Sequence, residues 1–192
     1  MSDVKNILLV GVGGQGIILA SKILSTGLMN AGYDVKMSEV HGMAQRGGSV
    51  TTQVRFGEKV YSPIIGKGQA DILVSFEKME TGKWIEYLNV KGKVVVNDYE
   101  ILSAPILIGK EEYPRGIMEE LKEKTDVTVF KAADIAKELG NIRTMNVVMV
   151  GALVKAIGLD NIDWEEVLRN TVKEKYIDIN IKALRKGMEQ VK

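Results

Sequence analysis

The chain has 192 residues and no cysteine, which excludes a disulfide, a thiolate-bound metal or cluster and a thiol nucleophile. Its single histidine, His41, excludes a multi-histidine metal site. Lys+Arg at 26 against Asp+Glu at 25 leaves a net charge of +1, without the basic excess of a nucleic-acid footprint.

The longest apolar run, Val147 to Val154, falls well short of the roughly 20 residues of a membrane span. Met1 to Lys5 carry an acid and run straight into a strand, unlike a signal peptide. A soluble, cytoplasmic protein is expected, with no membrane and no nucleic-acid partner.

Asn6 to Val10 is a short continuous apolar run closed by glycine, the pattern of a strand buried on both faces. Gly14 to Asn30 carries Ile17, Ala20, Ile23, Leu24 and Leu28 at helical spacing, and Ala31-Gly32 stops it. Tyr33 to Met37 reads as a second strand, followed by a loop from Ser38 to Gly48. Val50 to Phe56 alternates, Gly57-Glu58 turns, and Lys59 to Tyr61 is expected to pair back as a β-hairpin ended by Pro63.

Asp71 to Ser75 is another buried strand, and a helix is expected from about Lys78 to Leu88. Lys91 to Lys93 turns into strand Val94 to Asn97. Asp98 to Tyr113 is irregular, and Pro114 opens a helix to about Lys124. Val127 to Phe130 is a strand and Ala132 to Leu139 a short helix.

Asn141 to Ile157 is apolar nearly all round, so it is buried in its own core or against another subunit. Gly151 within it costs about 1 kcal/mol against alanine, which points to close packing there. Asp163 to Glu166 open a further helix with acids in its first turn, and Asn180 to Val191 form an amphipathic tail. The alternation predicts an α/β fold. It has a Rossmann-like, mostly parallel sheet, helices on both faces and an inserted β-hairpin.

Gly11-Val12-Gly13-Gly14-Gln15-Gly16 fits G-x-G-x-x-G after a buried strand and at the opening of a helix. Such glycines let a ligand approach the backbone, and the amides at the helix start attract an anion, usually a phosphate. The same glycines also suit a purely structural turn. Glu39, 23 residues beyond Gly16, has the spacing of an acid that binds a ribose hydroxyl, or it pairs with Arg46.

The loop from Ser38 to Gly48 adds His41, Gln45 and Arg46 as candidates for contact with a substrate or partner. Arg46 can clamp a phosphate or carboxylate with two hydrogen bonds, or form an internal ion pair. His41 can serve as an acid or base, or simply be a hydrogen-bonded loop residue. No Ser–His–Asp set or paired carboxylates stand out, so no residue is assigned as catalytic.

The two glycine motifs together resemble the gamma-type domain of 2-oxoacid:ferredoxin oxidoreductases. Ser62-Pro63-Ile64, Ala70-Asp71-Ile72-Leu73, Asn146 and Gly151-Ala152-Leu153 extend the similarity over most of the chain, residues 1–192 as one domain. The wording His41-Gly42-Met43-Ala44-Gln45-Arg46-Gly47-Gly48 is most similar to the indolepyruvate branch.

The resemblance implies oxidative decarboxylation of aryl 2-oxo acids to arylacetyl-CoA, with coenzyme A as co-substrate and ferredoxin as acceptor. It also implies thiamine diphosphate and iron–sulfur (4Fe-4S) clusters. With no cysteine, and no Gly-Asp-Gly or Asn-Asn string of the family's thiamine-diphosphate motif, this chain is expected to hold neither. Both are expected on a larger catalytic subunit, in a hetero-oligomer. The glycine loop, Gly11, Gly13, Gly14, Gln15 and Gly16 with Glu39, is then the candidate for coenzyme A, another nucleotide or an interface. Two alternatives stay open on the residues: a free-standing dinucleotide-binding oxidoreductase and a ligand-free interaction module.

Overall fold

The computed structural model describes residues 4–41 and 47–191, His41 by its backbone alone. In chain order the strands are β1 (Lys5–Val12), β2 (Asp34–His41), β3 (Ser49–Gly57), β4 (Ala70–Ser75), β5 (Leu88–Asn97) and β6 (Asp126–Phe130). The helices are α1 (Ile17–Asn30), α2 (Lys78–Trp84), α3 (Ala104–Leu107), α4 (Ile117–Lys124), α5 (Ala132–Glu138), α6 (Met145–Ala156), α7 (Trp164–Thr171) and α8 (Ile177–Met188).

One sheet has the order β2-β3-β1-β4-β5-β6. β3 runs antiparallel to both of its neighbours, and the other strands all point one way. β1 shows why the sheet has two covered faces. Ile7 and Leu9 pack with α1, α5, α6, α7 and α8, whereas Leu8 and Val10 pack with Ile65, Met118 and Leu121 on the face that carries α2 and α4. A strand buried on both sides needs the unbroken apolar run seen in its sequence.

The inserted hairpin exists, but its arms are β2 and β3. Lys59 to Tyr61 is not a strand: the Asp34 carboxylate accepts the Val60 amide at 2.9 Å, which takes that group out of any ladder. The second strand also runs on to His41, so Ser38 to His41 belongs to the sheet and not to the loop. Lys91 to Lys93 is not a turn. β5 starts at Leu88 and passes an irregularity opposite Ala70, where a side chain at Gly92 would press on Leu88.

α2 is shorter than expected and finishes in a 3-10 turn over Ile85–Tyr87. Pro114 precedes α4, which Gly116 caps in the left-handed region at φ 79°. The apolar helix α6 is buried in this chain's own core, between the sheet and α8, with only Lys155 of its residues left out. It is therefore not a surface waiting for another subunit. Among the described residues no helix is long and apolar enough to cross a membrane.

Candidate functional site

The chain direction reverses its side of exit at β1 and β4. β1 leads into α1 on one face, and β4 leads into α2 on the other. In open α/β sheets ligands collect in the crevice beyond such a switch point. The glycine loop sits there, and its side chain and backbone bonds explain its sequence.

Gln15 is buried. Its Oε1 accepts the Val12 amide at 2.8 Å and its Nε2 donates to the Phe76 carbonyl at 2.7 Å, tying the loop to the end of β4. A side chain at Gly11 would meet Gln15 Oε1 and Phe76 Cβ, both at 2.8 Å. Gly11 and Gln15 therefore serve the turn itself. Gly13 has another duty: its amide donates to the Gly48 carbonyl at 2.9 Å. This extends the β1–β3 ladder past the Val12–Ser49 pair and laces the two glycine motifs together.

Gly14 faces outward, whereas Gly16 packs against Asn146, whose Nδ2 lies 2.6 Å from where a side chain would begin. Gly14 has φ 103°, and among the described residues nothing lies within 4 Å of where its side chain would begin. Gly16 caps α1 at φ 79° without any side-chain bond, and no acid occupies the first turn of that helix. A cleft of about 360 Å³ opens here, lined by Val12, Gly13, Gly14, Ile17, Ile18 and Val50 among others.

Asn146, at the start of α6, donates from Nδ2 to the Gly16 carbonyl at 3.1 Å, and its buried Oδ1 has no partner among the described residues. An uncapped helix start with open glycine backbone suits a phosphate group. The residues fit an anionic, phosphate-bearing ligand at Gly14, Gly16 and the first turn of α1. They offer no thiolate for a cluster.

Glu39 lies on β2 with Thr52 of β3 as its neighbour, so β3 stands between it and β1. The separation from β1 is about two strand spacings, near 10 Å. The Ser21 hydroxyl of α1 lies 3.4 Å from its Oε1. A ribose-binding acid of the dinucleotide type would stand on the strand next to β1, and here that strand is β3. Gln45 and Arg46 lie outside the described residues, as does the side chain of His41, so these candidates carry no geometry.

Sequence reading missed the polar groups beneath the loop. Glu77, wholly buried, follows β4 and caps α2. Its Oε1 accepts from the Ile101 amide at 3.2 Å and the Tyr113 hydroxyl at 2.6 Å, and its Oε2 accepts from the Glu80 amide at 3.0 Å. Asn97, at the end of β5, donates to the Phe76 carbonyl and accepts from the Ala132 amide at 2.9 Å. The available signal was an acid directly after a buried strand and another three residues on, a spacing that puts both on one helix face.

Burial, and next the hydrogen bond to Glu77, hold the Tyr113 phenol protonated well above its ordinary range. The folded state therefore binds the proton more tightly than the unfolded chain. The associated stability is complete below about pH 10 and lost as pH rises further. Tyrosinate absorbance should show one fewer titrating tyrosine in the folded wild type than in urea. Tyr113→Phe should remove that difference. An unchanged difference in the variant would assign the effect elsewhere.

Comparison with known proteins places this geometry. Residues 6–190 match the family model described as pyruvate ferredoxin/flavodoxin oxidoreductase. The chain is 40% identical to the indolepyruvate oxidoreductase subunit IorB of Thermococcus kodakarensis, over 97% of this chain and 96% of that one. The IorB subunit of Pyrococcus horikoshii is likewise 40% identical, with the same coverage. Among solved structures, the pyruvate oxidoreductase subunit PORC of Thermotoga maritima superposes with a TM-score of 0.74 at 26% identity, covering 98% of this chain and 97% of that one. The resemblance carried by the two laced glycine loops thus holds over the whole fold, and the chain belongs to the pyruvate ferredoxin/flavodoxin oxidoreductase family.

Proposed function

We propose that this chain is the smaller, gamma-type subunit of a cytoplasmic arylpyruvate:ferredoxin oxidoreductase acting on substrates such as indolepyruvate. The likeness to IorB subunits along almost the whole chain carries this reading. The reaction converts an aryl 2-oxo acid and coenzyme A to arylacetyl-CoA and carbon dioxide, releasing an electron pair and a proton. Ferredoxin takes the electrons. A cluster relay needs cysteine thiolates and this chain has none, so the larger subunit holds the clusters, together with thiamine diphosphate.

The part left to this chain is binding and shaping. Coenzyme A supplies the thiol that accepts the acyl group. Gly14, Gly16 and the first-turn amides of α1 are the groups here that suit one of its phosphates. Val12, Ile17 and Val50 give the cleft beside that contact an apolar lining.

Reconstitution tests the reading. The chain and its larger partner, purified separately, are assayed for coenzyme A-dependent viologen reduction with indolepyruvate. Neither alone should turn over, and the mixture should. Full activity from either one by itself, or none from the mixture after thiamine diphosphate and cluster loading, would overturn it.

A further inference from the structure

Glu80 lies in α2 with its carboxylate almost fully buried. Its Oε2 accepts from the Ser49 hydroxyl at 2.5 Å, and its Oε1 accepts from Lys83 Nζ at 2.7 Å. Ser49 opens β3, opposite Val12 and directly after Gly48, whose carbonyl takes the Gly13 amide. β3 and β4 flank β1, and α2 follows β4. Glu80 thus reaches across the end of β1 and ties α2 to the strand on its far side.

The bond is not needed by α2 itself. That helix is already capped by Glu77, and Lys83 already neutralises Glu80 from within the helix. A buried carboxylate is costly unless its oxygens are bonded, so Glu80 and Ser49 fix one another. Gln15 ties the glycine loop to β4, and the Ser49–Glu80 bond ties the start of β3 to α2. Together they set the seam between the two glycine motifs from both sides.

We propose that Glu80 is a positioning residue for the glycine-loop cleft. It acts through the Ser49 hydroxyl, which it holds so that Gly47–Ser49 stay laced to Gly13 and the open backbone at Gly14, with the start of α1 behind it, keeps its spacing for an anionic co-substrate. The inference rests on the proposed coenzyme A-dependent activity of the complex. It goes further in naming what sets the cleft's shape.

The test has two arms. In the isolated full chain, Ser49→Ala and Glu80→Ala should each speed hydrogen exchange of the Gly13 amide by about tenfold. In the reconstituted complex, each should raise the KM for coenzyme A about tenfold, with kcat and the KM for the 2-oxo acid within about twofold of wild type. The double variant should be no worse than the worse single one, because the two residues share one bond. Glu80→Gln, which keeps an oxygen for Ser49, should recover most of the affinity.

Unchanged Gly13 exchange in Ser49→Ala overturns the proposal whatever the activity. So does faster exchange with an unchanged coenzyme A KM. So does an equal loss in kcat and both KM values, which marks a general structural role. Failure of the underlying reading looks different: the wild-type complex would then show no coenzyme A-dependent reduction.

Discussion

Gly151→Ala and Gly187→Ala should each destabilise the protein by about 3 kcal/mol or more. α6 and α8 cross with their backbones in contact. A methyl at Gly151 would overlap the Leu184 carbonyl, and a methyl at Gly187 would overlap the Val148 carbonyl. Each glycine thus faces the partner helix's main chain, and neither obstacle is a side chain that can rotate away.

Relief requires α6 and α8 to move apart. That would open the core on the face where α6 is buried on nearly every side. Alanine ordinarily favours a helix over glycine by up to about 1 kcal/mol, so the overlap must outweigh that gain. Gly82 in α2 supplies the contrast, because a methyl there meets Ile117 at an ordinary 3.6 Å. Gly82→Ala should leave stability unchanged or raise it by up to about 1 kcal/mol. Urea denaturation of the three variants decides the matter. A loss under about 1 kcal/mol at Gly151 would mean that the helices can part at little cost.

The close packing at Gly151 was legible beforehand, since an apolar helix tolerates glycine only where something presses on it. Whether the helix faced its own core or another subunit was not legible, because an all-round apolar surface reads the same in both cases. The parallel sheet was equally visible, as its strands are unbroken apolar runs.

The place of β3 was hidden. Its alternation marks a strand, but pairing is a tertiary choice, and Gly57-Glu58 imitates a hairpin turn. The carboxylate of Asp34, distant in sequence, holds Val60 and cancels that turn. For the site, residue types alone brought the two glycine motifs to notice. Their contact through Gly13 and Gly48 depends on β3 lying beside β1. Glu77 and Glu80 escaped because an acid at the cap or in the first turn of a helix is ordinarily a solvated one. Burial is what makes these two different, and burial is not written locally.

Removing Glu77 should show that difference as a loss of stability. Glu77→Ala leaves the Ile101 amide, the Tyr113 hydroxyl and the Glu80 amide without their acceptor. Unpaired buried donors cost about 1–3 kcal/mol each, and partial entry of water brings the expected total to about 3–5 kcal/mol. For a chain of this size that is a fall in Tm of about 10 °C.

Glu77→Gln separates the contributions. With its oxygen at the Oε1 position it keeps Ile101 and Tyr113, and its amide group then opposes the Glu80 N–H, so the helix cap alone is lost, at about 1 kcal/mol. The damage in Glu77→Ala should also be local. Ile101 and Tyr113 bracket a segment that carries the short helix α3 and whose Leu107 and Ile108 are mostly exposed, and Glu77 is the common anchor of its two ends. Limited proteolysis should therefore cut between these residues faster in Glu77→Ala than in Glu77→Gln, at temperatures where both remain folded. Equal cutting in the two variants would show that the segment is held from its N-terminal flank instead, by the ion pairs of Lys78 with Asp98 and Glu100.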